Sequence, residues 1–490
     1  MREITINPIT RLEGHGKITI FLDERGFVEN AYLQIPEFRG FEKFCIGRSG
    51  ELLPQITSRI CGVCSVAHHL ASAKALDEAF KAEPPPAARK LRELMHCGYI
   101  IADHILHFYY LAAPDFLVGP RASPRERNII GLARRMGLDL VKQVIRHRAY
   151  GQNIVEIIGG KAIHPVCGLP GGVSKPLTEE EREKVRKMAE SCVDFAESSL
   201  KLFHELVLEN REYEELIEGD IYRLETYYMG LVDENNRVNL YDGKLRIVDP
   251  NGGELLKFDA SKYLDVIEEH VVEWSYVKMP YLKRIGWRGL IDGAGSGVYR
   301  VGPLARLNAA EGMATPLADE EYRLMYKTLG KPAHSLIAYH WARLIEILYA
   351  AERAVELAGD PEVTSPEIRS PVGEPGEGVG VVEAARGTLI HHYKLDGDGL
   401  IEDINIITPT ASNYASICMS IRNAARGLIK GSEVSEGLLN MVEMAYRAYD
   451  PCMACASHHA IGELPLTVEI YDHRGRLMRR VERPSLKRVN

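Results

Sequence analysis

The chain opens in the rhythm of β-strands. KITIFLD (17–23) and FVENAYLQI (27–35) alternate apolar and polar residues around the turn ERG (24–26), as a hairpin with one buried face does. From Ile60 the pattern becomes helical. SVAHHLASAKALDEAF (65–80) is rich in alanine and leucine, and the proline-rich EPPPAA (83–88) closes it. Helices are expected over 88–118 and 128–150, with a loop at GLPGG (168–172). A long amphipathic helix then starts after Thr178, a suitable N-cap. Glu179, Glu180 and Glu181 fill its first turn, where the helix dipole favours negative charge.

Between about 222 and 310 the texture shifts to short β runs broken by DENNRV, DPNGG and DGAGSG, which predicts a peripheral β layer. Helix returns over 318–358. EIRSPVGEPGEGVGVVEAARG (367–387) reads as a Gly/Pro-rich loop feeding the strand GTLIHHYKLD (387–396). A last helix, 431–448, delivers the chain to DPCMAC, and LTVEIYD with RLMRRVE around HRG predicts a hairpin near the end. No internal repeat or low-complexity segment interrupts this order. The expected fold class is α+β: a mainly helical core built as a long helix bundle, with an N-terminal β hairpin or sheet and a peripheral β layer.

Composition narrows the partners. Of 490 residues, 46% are hydrophobic and 26% charged, ordinary values for a globular protein with a sizeable core. A net charge of −8 offers no attraction to nucleic acid or to an anionic membrane. No apolar run reaches the roughly 18 residues that a membrane span needs. The densest, YIIADHILHFYYLAA, carries Asp103, His104 and His107 and is expected as a buried helix. MREITINPIT lacks a basic-then-apolar signal pattern, which taken alone favours the cytoplasm.

Nine cysteines spread over this length do not form a disulfide framework, so metal ligation or core packing comes first. Four of them stand out. RICGVCSVAHH carries Cys61, Cys64, His68 and His69; DPCMACASHH carries Cys452, Cys455, His458 and His459. Each motif is Cys-x-x-Cys with histidine shortly after, and three-residue spacing lets both sulfurs of a pair face one side of a helix start. A helix N-terminus also favours the metal-binding thiolate. Zinc ribbons hold their pairs some 15–20 residues apart, whereas here nearly the whole chain lies between. Structural zinc, an iron–sulfur cluster, a catalytic soft-metal site and unrelated core cysteines all remain open from the residues alone. The isolated Cys45, Cys97, Cys167, Cys192 and Cys418 are expected as inert buried thiols.

RICGVC near the start and DPCMAC near the end resemble the signature pair of nickel–iron hydrogenase large subunits. TRLEGHGK (10–17), FRGFE (38–42), DHILHFYYLAAPD (103–115), GLPGG, YRVGPLARLN (299–308), ARGTLIHHY (385–393) and IITPTASN (406–413) follow the family order, so the resemblance spans essentially the entire chain. It implies the fold of that family and a nickel held by all four thiolates. Cys61 and Cys452 would be terminal ligands; Cys64 and Cys455 would bridge to an iron carrying carbon monoxide and cyanide. Soft thiolates suit such a centre.

The resemblance also implies roles around the metals. H2 would be cleaved heterolytically, with a terminal thiolate (Cys452) as base and Glu13 as the next proton carrier. Arg386 would lean over the open metal position, first as an orienting cation and alternatively as a base, with Asp103 and Asp450 as carboxylate partners. The family usually has proline before this arginine; Ala385 departs from that and is expected to loosen its hold. Glu42, His458 and the backbone carbonyl near Ile406 match ligands of a second metal, magnesium (or iron). Thr410 resembles the hydroxyl that hydrogen-bonds a cyanide, and His68 would stand behind a bridging sulfur. His69 and His459 carry no role.

In this family an endopeptidase cuts after the position of His458 once nickel is in place. Residues 1–458 would then form the mature hydrogenase domain, with the β-rich segment at about 222–310. Residues 459–490 would be a removed extension, seven Lys/Arg against four Asp/Glu, and the chain as written an unprocessed precursor. ITINPITRLEGHGKI and EFRGFEKF look most like the cytosolic methyl-viologen-reducing, F420-non-reducing branch. No cysteine pattern is left for a further cluster, so electrons would leave through an iron–sulfur small subunit. In secreted relatives of the family the export signal sits on that small subunit, so the lack of one here is weaker evidence for the cytoplasm. Beyond it would stand acceptor subunits such as heterodisulfide reductase or a flavin/iron–sulfur subunit. The competing readings are a non-catalytic scaffold like the complex I relative, whose kind lacks the cysteine pairs, a precursor form lacking metal, and a zinc-stabilised interaction protein.

Overall fold

The computed structural model describes residues 2–430, 434–458, 466–471, 474 and 476–483. Four long helices form the body: Pro86–Leu106, Leu138–Gly159, Glu179–Phe203 and Ala338–Gly359, the last packed against the first and third. Thr178 caps Glu179–Phe203 as expected. Its Oγ1 accepts the Glu181 N–H at 3.1 Å while Glu181 Oε2 accepts the Thr178 N–H at 2.9 Å, a closed capping box.

Ala338–Gly359 is buried nearly all round, Trp341 included, yet it carries Arg343 and Glu346. These charges are matched inside the core. Arg306 bonds Glu346 at 2.6 Å and Glu383 at 2.7 Å, and His104 meets Glu346 at 2.8 Å. A buried charge without such a partner would cost several kcal/mol, about 3–5 when one partner is removed.

The N-terminal hairpin gains a third strand. Arg2–Ile6, Lys17–Leu22 and Val28–Gln34 pair antiparallel in that order and lie on the helix Pro409–Leu428. The β layer over 222–310 is present. Tyr227–Val232, buried along its whole length, sits between Lys244–Val248 and the parallel edge Tyr299–Arg300, although the segment also contains the helix Pro303–Ala309. Strands Leu466–Tyr471 and Leu477–Arg483 pair as the predicted C-terminal hairpin. His459 and residues 472–473 and 475 fall outside the described residues.

Several expectations need correction. Residues 377–384 are a strand, not loop: Glu377–Ala384 pairs with Gly387–Leu395, which pairs with Ile401–Ile407. The glycines that suggested a loop serve close approach instead. A Cβ at Gly378 would stand 2.3 Å from the Ala75 carbonyl, and one at Gly380 2.0 Å from that of Ala71, so the Ala-rich helix Ser65–Ala79 lies directly on this strand. GLPGG likewise makes two short paired segments, Gly168–Leu169 and Gly172–Val173.

The 318–358 helix is two, Pro316–Leu329 and Ala338–Gly359. They are broken at Gly330 (φ 75°) and by Pro332, which has no N–H to continue a helix. The 128–150 helix is likewise two, Ile129–Met136 and Leu138–Gly159, parted at Gly137 (φ 94°). The 88–118 helix stays α-helical to Leu106. Beyond it His107–Ala112 and Pro114–Val118 run in wide π-turns around Pro114. The last helix is Glu436–Arg447, capped by Ser435, while 431–433 lie outside the described residues. Pro409–Leu428 has no counterpart in the sequence reading. Ser412, Asn413, Ser416 and Ser420 are buried there and hydrogen-bonded to Tyr299, Val301 and Tyr449, so its polar residues do not form the solvent-facing stripe that marks a helix.

Candidate metal centre

Two chain ends meet in the core. Cys61 is extended after a short turn, Ser58–Ile60, and Cys64 precedes the first residue of Ser65–Ala79. Cys452 caps the short helix Met453–Ala456, its sulfur accepting the Cys455 N–H at 3.3 Å. Glu13 runs beside Cys452 as a parallel bridge, with the Met453 N–H donated to the Glu13 carbonyl at 3.0 Å. Gly14 makes this approach possible: φ is +83°, and a Cβ there would lie 2.7 Å from Met453 Cβ.

The sulfurs of Cys61, Cys64, Cys452 and Cys455 are buried, with ligand atoms all within 4.8 Å of one another. Cys452 Sγ stands 2.8 Å from Cys455 Sγ and 3.3 Å from Cys61 Sγ, and Cys64 Sγ 3.0 Å from Cys455 Sγ. Hydrogen bonds from Cys452, Cys455 and Cys64 hold Cys61 well below the ordinary thiol range, whereas burial pushes Cys452 and Cys455 well above it. The protein by itself thus favours one thiolate. Four together require a cation among them, and a buried tetrathiolate cage fits a soft one.

Around this cage the expected residues assemble. Cys452 Sγ is 3.0 Å from Glu13 Oε2, which also accepts the Ala454 N–H at 3.1 Å. Burial first, then the charge of Cys61, raises the Glu13 carboxyl above the usual carboxylate range. Arg386 occupies the two-residue turn between paired Ala384 and Gly387. It binds Asp103 at 3.1 and 3.3 Å and Asp450 at 2.9 Å. Against the effect of burial, those two carboxylates hold Arg386 well above its ordinary value, so it is a fixed cation. The structural consequence expected of Ala385 is answered by a bond that proline cannot make: its N–H donates to Tyr99 Oη at 3.1 Å.

Thr410 Oγ1 accepts the Cys452 N–H at 2.9 Å, leaving the hydroxyl proton free to donate. His68 Nε2 approaches Cys455 Sγ at 3.5 Å. The second set also converges. His458 Nε2 lies 2.7 Å from the Ile406 carbonyl and 3.4 Å from Glu42 Oε1, and Glu42 accepts the Ile406 N–H at 2.9 Å. His69 is structural, between the Pro54 carbonyl and the Gly168 N–H. Sequence reasoning missed Arg343, 3.7 Å from Asp450, and His391 and Tyr393 behind His68. The last two share one face of the predicted strand GTLIHHYKLD, a signal present in its period of two.

No helix among the described residues is long and apolar enough to cross a membrane. Residues 39–123 and 295–458 match the family described as nickel-dependent hydrogenase, and residues 3–38 match the HoxL-like family. An F420-non-reducing hydrogenase iron-sulfur subunit of Archaeoglobus profundus is 48% identical over 484 residues, covering 98% of this chain and 99% of that protein. The NAD-reducing hydrogenase HoxS subunit beta of Cupriavidus necator is 38% identical, covering 97% and 99%. Among solved structures, the NAD+-reducing NiFe hydrogenase in its H2-reduced state superimposes with a TM-score of 0.88 at 40% identity, covering 94% of this chain and 100% of that one. The Ni-Fe-Se hydrogenase from D. vulgaris Hildenborough gives 0.74 at 26%, covering 93% and 100%. With both cysteine pairs inside the matched segments and closed into one cage, the chain belongs to the nickel-dependent hydrogenase family as its large, catalytic subunit.

Proposed function

We propose that this protein catalyses the reversible heterolytic cleavage of H2 into two protons and two electrons. When bound, a nickel–iron centre with carbon monoxide and cyanide on iron supplies the splitting of the H–H bond. Cys61, Cys64, Cys452 and Cys455 would hold it. Cys452 Sγ takes a proton and passes it to Glu13 Oε2, 3.0 Å away, within reach of direct transfer. That contact carries the reading. The raised affinity of Glu13 for a proton suits a carrier that must accept it in a buried site. Arg386, clamped by Asp103 and Asp450, orients and neutralises without giving up its own proton.

The free hydroxyl proton of Thr410 suits a cyanide nitrogen. Glu42, the Ile406 carbonyl and His458 offer oxygen and nitrogen ligands for magnesium (or iron), with waters completing the shell. Electrons leave to an iron–sulfur small subunit, then to further acceptor subunits, in the cytoplasm. Relatives whose names make them one component of a multi-component hydrogenase support such a partner. An endopeptidase removes residues 459–490 after metal insertion.

Metal analysis with an infrared spectrum tests the centre. Nickel, iron and bands of iron-bound carbon monoxide and cyanide are expected; zinc alone or no metal overturns the reading. The mass of the matured protein, ending at His458 or at Asn490, decides the processing step.

A further inference from the structure

Behind Cys455 three buried side chains stand in line. His68 Nε2 is 3.5 Å from Cys455 Sγ, His68 Nδ1 is 3.0 Å from His391 Nε2, and His391 Nδ1 is 2.5 Å from the Tyr393 hydroxyl. Exposure is 1% for His68 and 0% for His391 and Tyr393, so the line is closed off from bulk solvent. His391 and Tyr393 are two apart on the strand Gly387–Leu395, and His68 comes from the helix Ser65–Ala79 that packs on it.

The direction of this line follows from its end. A metal-bound thiolate accepts hydrogen bonds and has no proton to donate. His68 Nε2 must therefore carry a proton. Both rings are buried, and their partners are a sulfur, each other and a phenol rather than a carboxylate, so each ring is neutral and holds one proton. His68 Nδ1 is then bare. Two bare nitrogens at 3.0 Å would repel, so His391 Nε2 carries the proton between them. His391 Nδ1 is left bare in turn, and Tyr393 must donate to it.

We infer that His391 and Tyr393 are positioning residues which hold His68 in its Nε2–H tautomer and deliver a polarised N–H to the sulfur of Cys455. Aligned hydrogen bonds strengthen one another in a low-dielectric interior. A donor on a metal-bound sulfur would draw electron density from the metal that the cysteines hold, as outer partners of metal ligands do. The inference rests on the proposed function only in placing thiolates on a metal.

The test uses the full-length chain, labelled with 15N-histidine, its four cysteines occupied by Zn2+. Loss of signals in His68→Gln and His391→Gln assigns the two rings. Both are expected protonated on Nε2. His391→Leu is expected to give His68 a second population protonated on Nδ1, which His391→Gln, retaining a donor, does not show. Tyr393→Phe removes only a hydroxyl and should move the His391 Nδ1 resonance to higher frequency, which keeps the test available if His391→Leu fails to fold. A wild-type ring protonated on Nδ1, or spectra unchanged by His391→Leu and Tyr393→Phe, overturns the inference. In the matured enzyme the carbon monoxide band should fall in wavenumber in His391→Leu, fall less in Tyr393→Phe and return in His391→Gln; an unmoved band removes the electronic effect. Were the wild type to show no such band, the proposed function would fail, while the zinc-loaded spectra would still decide the hydrogen-bond direction.

Discussion

Glu13 Oε2 meets Cys452 Sγ at 3.0 Å across a sequence separation of 439 residues, and the same oxygen is pinned by the Ala454 N–H. Pinning fixes the carboxylate where a thiol proton would arrive. Glu13→Gln keeps an oxygen for Ala454 but cannot accept that proton. Exchange between D2 and solvent protons should fall by about 100-fold or more, the usual worth of a positioned proton acceptor, with metal content unchanged. Exchange at the wild-type rate would remove Glu13 from the path.

Arg386 is held by a fork to Asp103 and an ion pair to Asp450. Lysine cannot reproduce the fork. Arg386→Lys should lower turnover at least about tenfold with little loss of fold, whereas Arg386→Ala takes the ion pair from buried Asp103, leaves Asp450 only Arg343 at 3.7 Å, and should destabilise by about 3–5 kcal/mol. Urea midpoints beside turnover rates separate the two effects.

Tyr99 Oη accepts the Ala385 N–H, a bond that proline at this position could not make. Tyr99→Phe should cost about 1 kcal/mol of stability and leave the Arg386 turn less fixed, seen as turnover loss without metal loss. Ala385→Pro removes the same donor and should lose a similar amount; a gain in stability would show that the rigidity of proline outweighs the bond.

His458, Ile406 and Glu42 converge without any cysteine. His458→Ala or Glu42→Gln should empty this site of magnesium (or iron) while the thiolate-bound metals remain. Elemental analysis after mild chelation reads it directly; equal retention in wild type and variants excludes the site.

Acid should unfold the chain earlier than its carboxylates alone predict. Burial lowers His96, His104 and His340 to about 3, from an unfolded value near 6.5. Below about 6.5 the unfolded chain takes up protons that the folded one refuses. This contribution is therefore complete above about pH 6.5 and is lost as pH falls towards about 3, by up to about 1.4 kcal/mol per pH unit for each histidine. Urea midpoints from about pH 7 to about pH 5 should show the decline, with a shallower slope in His340→Gln.

Much of this centre was legible in the residues. Two Cys-x-x-Cys pairs with following histidines, the hairpin around ERG and the cap at Thr178 are local patterns, and local patterns survive in sequence because their geometry is set within a few residues. The glycines of EGVGVV misled for a complementary reason. Whether a glycine marks a turn or a close approach depends on what lies opposite, and here that is the carbonyl row of a helix some 300 positions earlier.

Burial hid other features. Pro409–Leu428 lost its helical signature because its serines and Asn413 are enclosed by partners from other segments, Tyr299 and Val301 among them. The hydrogen-bonded line from Cys455 through His68 and His391 to Tyr393 joins a helix, a strand and the chain end. Sequence alone determined which side chains have the chemistry to hold a soft metal and move a proton. Only tertiary packing decided which sulfur meets which carboxylate, because hydrogen bonds and ligand cages act over about 3 Å and depend on contacts between segments remote in the chain.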